Sequence, residues 1–219
     1  MTFNHNLVEV REMEATTLES GRIYHTPDGP VSSITTILSS TADKAWLEEW
    51  KTSLGEEAAA AETLRCSDRG TAVHEMSEFY LKNRKNITDH HSPENIKRFN
   101  QIKMYLNKIN NILGIEIPLY TKLLRIAGRC DVIGEYDGKL SIIDFKTSNG
   151  NKTSGIIEDY FLQCTAYSIM FEEMYGIQID QIVVIISVER GICGQVFKRD
   201  RADYIKPLIK RVKQFYEQP

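Results

Sequence analysis

A chain of 219 residues with 42% hydrophobic and 26% charged side chains can bury a substantial core, and its 13 glycines and 6 prolines argue against collagen-like or low-complexity structure. With 27 basic and 30 acidic residues the net charge is −3, so no global field draws it to polyanions, and a nucleic-acid partner must be held by a local patch or through metal ions. Cys66, Cys130, Cys164 and Cys193 stand far apart with no CxxC, which argues against a zinc site, an iron–sulfur cluster or a secreted disulfide framework.

The segments read in chain order without an internal repeat or linker, so a single domain over 1–219 is expected: a mostly helical part over 1–113, a sheet core over 114–199 and a C-terminal helix over 200–219. The N-terminus lacks the apolar stretch of a secretory signal and carries repeated Glu, unlike a mitochondrial presequence, so a cytoplasmic location is expected. The first forty residues read as irregular, with the turn cluster His25–Pro30 ahead of a short helix carrying Ile34, Ile37 and Leu38. Ala42–Leu64 reads as helix broken near Gly55, Asp68–Leu81 as a second helix, and Pro93–Leu113 as a third. Pro93 suits a first turn and Gly114 a stop.

After Gly114 the period shortens, and residues 115–124, 128–136, 139–147, 181–188 and 193–198 read as strands. The run Ile182–Val188 is too short for the ~20 residues of a membrane helix, and no membrane partner is expected. Residues 156–176, apolar on most sides and ended by Gly176, read as a buried helix. The amphipathic tail carries Lys206, Lys210, Arg211 and Lys213, a solvated face or a phosphate contact. This order predicts an α/β fold, a mixed sheet flanked by helices.

Asp137-Gly138 between two alternating segments is a two-residue type I′ hairpin signal, which fixes the register. Pairing Tyr136 with Lys139 and stepping back along both strands brings Asp131 opposite Asp144. Like charges so placed are destabilising unless a cation compensates, and Lys146 shares the face by the period of two. Surrounded by Ile142, Ile143 and Phe145, Asp144 is poorly explained as a solvated surface residue. Such oxygen ligands suit Mg²⁺ or Mn²⁺.

These residues resemble the PD-(D/E)XK nucleases, in particular the RecB-like exonuclease branch: GRCD around Asp131, IIDFKTS around Asp144 and Lys146, QCTAY from Gln163 to Tyr167, and RGTAVH ending at His74. Val31–Leu38 is further similar to the mitochondrial genome maintenance exonucleases and their phage relatives. The resemblance implies a restriction-endonuclease-like core and a DNA exonuclease with one or two Mg²⁺ or Mn²⁺ ions. Their expected ligands are His74, Asp131, Asp144 and the backbone carbonyl of Phe145. It implies Lys146 as a catalytic residue, Gln163 as a contact to Lys146 or the DNA backbone, Tyr167 as an active-site support, and Arg69, Thr147 and Ser148 as DNA contacts. No iron–sulfur cluster is expected, because the four-cysteine spacing of some relatives is missing, and a helicase or recombination partner would be a separate protein.

Other candidates rest on the residues themselves. On a helical wheel His74 lies roughly 160° from the apolar set around Val73 and Met76, so it is not a core histidine. Gln163 and Tyr167 share a helix face. Glu116 either extends the acidic cluster or is a solvated strand residue, and Trp46 and Trp50, four apart, are a core pair or a base-stacking platform. Single-stranded DNA ends are the expected substrate. A structure-specific or restriction-like endonuclease and a DNA-binding module without catalysis are the alternatives.

Overall fold

The computed structural model describes residues 1–217 and, of Trp46, the main chain only. Its elements in chain order are β1 (Glu14–Leu18), β2 (Gly21–Thr26), β3 (Gly29–Ser33), α1 (Ile34–Thr41), α2 (Ala45–Leu54), α3 (Glu56–Leu81), α4 (Pro93–Leu106), β4 (Ile109–Thr121), β5 (Ile126–Tyr136), β6 (Lys139–Ser148), α5 (Glu158–Tyr175), β7 (Gln181–Val188), β8 (Gln195–Asp200) and α6 (Ala202–Tyr216). Eight strands form one mixed sheet flanked by the helices, a restriction-endonuclease-like α/β fold. Among the described residues no helix is long and apolar enough to cross a membrane.

The hairpin forms in the expected register. Tyr136 pairs with Lys139, and the antiparallel ladder runs back to Val132–Ile143. Asp137 and Gly138 take φ of 50° and 77°, as a type I′ turn requires. β6 and β7 are parallel, so the chain must cross over between them, and α5 makes that crossing. β7 is apolar almost throughout because both its faces are covered. Ile182, Val184, Ile186 and Val188 point into a core with α1, α5 and α6, while Val183 and Ile185 point into a second core with α3 and α4.

Three segments differ from the sequence expectation. The supposedly irregular N-terminus forms the β1–β3 meander. β1 is exposed along its whole length, so it shows no alternation between buried and solvated positions for a sequence reading to detect. The helices expected over 42–64 and 68–81 are joined into one 26-residue helix after the break at Gly55, since Gly70 alone interrupts a helix-compatible text. The third helix starts at Pro93 behind its Ser92 cap, as expected, but stops at Leu106. Beyond it, Ile109 and Asn110 pair with Tyr136 and Glu135, and this long-range pairing overrides the helical period.

The same pairing pattern opens the sheet at one point. β4 covers one edge of β5 from Ile126 to Tyr136. The other edge is shared: β3 pairs there with Ile126 and Ala127, and β6 pairs from Val132 onward. Residues 128–131 lie in the gap between the two partners.

Candidate active site

A cavity of about 620 Å³ opens at that gap. Gly128, Arg129 and Asp131 line it from β5, Lys146 from β6, Glu116 from β4, His74 from α3, and Gln163 and Tyr167 from α5. Where the ladder stops, the Asp131 side chain takes over, its Oδ2 accepting the Phe145 N–H at 2.7 Å. His74 Nδ1 lies 3.4 Å from the same oxygen, and the imidazole, 31% exposed, turns out of the core as its helical position requires.

Asp144 is fully buried. Its Oδ2 lies 2.5 Å from Lys146 Nζ but accepts no well-angled hydrogen bond, and its Oδ1 accepts one from Gln163 Nε2 at 3.1 Å. Gln163 also donates to the Tyr167 hydroxyl at 3.0 Å, so one side of α5 braces the carboxylate. Burial, with Asp131 nearby, pushes Asp144 up to about 6 against the pull of Lys146. Burial alone would pull the Lys146 ammonium down, but Asp144 and Asp131 outweigh it and hold it above the ordinary lysine range. Each charge of the pair thus favours the other's ionised form against the cost of burial.

Glu116 joins this cluster rather than remaining a solvated strand residue. One ligand atom each from His74, Glu116 and Asp131 lie within 4.8 Å of one another. Glu116 holds a left-handed φ of 55° in a strand whose register shifts between Asn110 and Gly114. Burial first, then the charges of Asp131 and Glu78, push its carboxyl up to about 8. Two carboxylates and an imidazole crowded to this degree form a nitrogen and oxygen donor set that a hard divalent cation would relieve.

Several expected DNA contacts have other settings. Arg69 is 6% exposed, paired with Glu189 and bonded to Asn149 Oδ1 at 2.7 Å, so it ties α3 to the ends of β6 and β7. Thr147 faces Gly70 of α3, and the Ser148 hydroxyl bonds the Gly150 carbonyl at 2.6 Å. Trp50 lines a separate cavity with Glu56, Thr63 and Leu64 of α3, and the side chain of Trp46 lies outside the described residues. In the basic tail, Arg211 bonds Asp159 and Thr41, which docks α6 on α5 and α1.

Residues that the sequence reading passed over also line the cavity: Arg22 and Tyr24 of β2, Glu75 and Glu78 of α3, and Arg129. Arg129 was detectable, two positions before Asp131 on the same strand face, and Glu78 stands four after His74. The Lys146 ammonium further lies 5.2 Å from the ring centroid of Tyr160, three residues before Gln163 on α5. Gly128 explains itself by space, since a Cβ there would meet Tyr167 Cε1 at 2.7 Å and Ile34 Cγ2 at 3.2 Å. Gly128→Ala is expected to cost about 1–3 kcal/mol and lower Tm by several degrees in a thermal melt. An unchanged Tm would show that Tyr167 has room to move.

A family model described as the PD-(D/E)XK nuclease superfamily matches residues 45–191. Mitochondrial genome maintenance exonuclease 1 of Mus musculus is 27% identical over 173 residues, covering 74% of this chain and 51% of that protein. The protein of the same name from Xenopus tropicalis is 28% identical over 183 residues, 76% of this chain and 51% of its own length. The Homo sapiens protein is 26% identical over 176 residues, 74% and 50%. The chain spans about half the length of these curated relatives.

Proposed function

The chain belongs to the PD-(D/E)XK nuclease superfamily, and from that premise we propose that it is a metal-dependent deoxyribonuclease that hydrolyses phosphodiesters at single-stranded DNA ends. The observation carrying this reading is the charge arrangement at the gap in the β5 edge: a His74–Glu116–Asp131 donor set beside the ion pair of buried Asp144 with the partly exposed Lys146. The exonucleases it resembles support action at ends.

His74, Glu116 and Asp131 would hold a Mg²⁺ or Mn²⁺ ion, with Asp144 and the Phe145 carbonyl as further proposed donors. Bound there, the ion would supply Lewis acidity and a water of lowered pKa. Lys146, kept protonated by its two carboxylates, stabilises negative charge developing on the phosphoryl oxygens; a charged ammonium suits that role better than proton abstraction. Gln163 fixes the orientation of Asp144, and Asp131 is fixed by the Phe145 N–H. Arg22 and Arg129 in the same cavity offset the charge of flanking phosphates.

A preference for ends is supported by the form of the cavity. It is an open groove bordered by β2, β3 and the start of α1 on one side and by α3 on the other, with Arg22, Arg129 and Lys146 as its basic side chains, and on a chain of net charge −3 this local set suits a grip on a short stretch of single strand. Linear single-stranded DNA is expected to be degraded well, blunt duplex poorly, and closed single-stranded circles hardly at all. The measurement is an end-labelled digestion at equal nucleotide concentration. Circles cut as fast as linear strands would defeat threading and favour an endonuclease.

A further inference from the structure

A second cavity, of about 530 Å³, adjoins the first along α3. Asp68, Thr71, Ala72, Glu75 and Phe79 line it from the helix, the recurrent three- and four-residue spacing of one helical face. Gly70, Thr71, His74, Glu75 and Glu78 line the catalytic cavity from the neighbouring face. Thr71 and Glu75 belong to both. A strand running from the first cavity into the second would cross the wall formed by Thr71 and Glu75.

The opposite wall is the connection between α3 and α4, with Asn86, Ile87, Asp89, His90 and His91. Left-handed φ values at Asn83, Asn86 and His90 (56°, 58° and 68°) shape it, and His91, its side chain 11% exposed, lies 3.6 Å from Glu75 on the shared wall. Arg84 lies 4.5 Å from the Phe79 ring centroid and holds that ring in place.

The lining chemistry selects the occupant. No lysine or arginine is among the lining residues, and Asp68, Glu75 and Asp89 oppose a phosphate. Phe79, Ile87 and the imidazoles offer flat and apolar surfaces to a π-system, and the carboxylates offer acceptors to an exocyclic amino group. The volume lies in the range of small-ligand sites. We propose that this cavity is a nucleobase subsite that receives one unpaired base of the substrate strand and favours amine-bearing bases over thymine. The proposal rests on the reading of the chain as acting on single-stranded DNA.

Binding can be separated from cleavage with the Asp144→Asn protein in Mg²⁺ at pH 8, using fluorescence anisotropy of labelled oligo-dC and oligo-dT of equal length. Oligo-dC should bind about tenfold more tightly, and single abasic residues walked along it should weaken binding at one position only. Asp89→Ala, an exposed change in the connecting segment that removes the acceptor, should bring the two affinities together, whereas a general loss of structure would weaken both. Equal affinities with a flat abasic scan, or a dC preference untouched by Asp89→Ala, overturn the subsite. A retained dC preference in a wild-type protein that cuts no DNA would support the subsite while sinking the nuclease reading.

Discussion

Replacing Lys146 with alanine is expected to lower DNA turnover by about 10²- to 10³-fold while DNA affinity changes little. The ammonium sits 2.5 Å from a fully buried carboxylate and stays charged at neutral pH, so its field acts most on charge that develops during hydrolysis. An interaction of that kind is worth more in the transition state than in the bound ground state. Arg22 and Arg129 remain in the cavity to hold the strand. Single-turnover cleavage and anisotropy on the same preparation decide the point, with a thermal melt to register the cost of leaving Asp144 buried without its partner. Binding that falls as far as turnover would make Lys146 an ordinary phosphate contact.

The largest effect should come from the metal. Excess EDTA is expected to abolish cleavage, and Mg²⁺ or Mn²⁺ to restore it; full activity after chelation and dialysis would sink the proposed mechanism. A second readout needs no DNA. A cation bound only by the folded protein at 100 times its Kd adds about 2.7 kcal/mol of stability, which for a chain of this size raises Tm by roughly 5–10 °C.

The pH dependence of that rise follows from Glu116. Its folded pKa is raised to about 8, so between the ordinary carboxylate range and pH 8 the unfolded chain ionises while the folded site keeps its proton. Without metal this contribution to stability falls as pH rises through that window. A cation competes with the proton for the carboxylate, so the metal-induced rise in Tm should be larger at pH 8.5 than at pH 6, and small in Glu116→Gln at both. A rise independent of pH would remove Glu116 from the ligand set.

The sequence by itself determined the hairpin and which charged residues it brings together. A two-residue Asp-Gly turn and a period of two fix which residues of β5 and β6 face each other, and those signals lie within twenty residues. Helical periodicity likewise turned His74 away from the core and placed Gln163 and Tyr167 together on α5. The buried run of β7 was legible because a strand covered on both faces is apolar throughout. The tertiary structure decided the rest, since it depends on contacts between segments that are separate in the chain. Nothing local in β1–β3 shows that β3 shares an edge of β5 with β6 and leaves the gap in which the cavity opens. Nothing local shows Arg69 paired with Glu189. For Glu116 the sequence left both the acidic cluster and a solvated strand position open; a left-handed φ in a β4 paired along β5 brings it to Asp131 and His74.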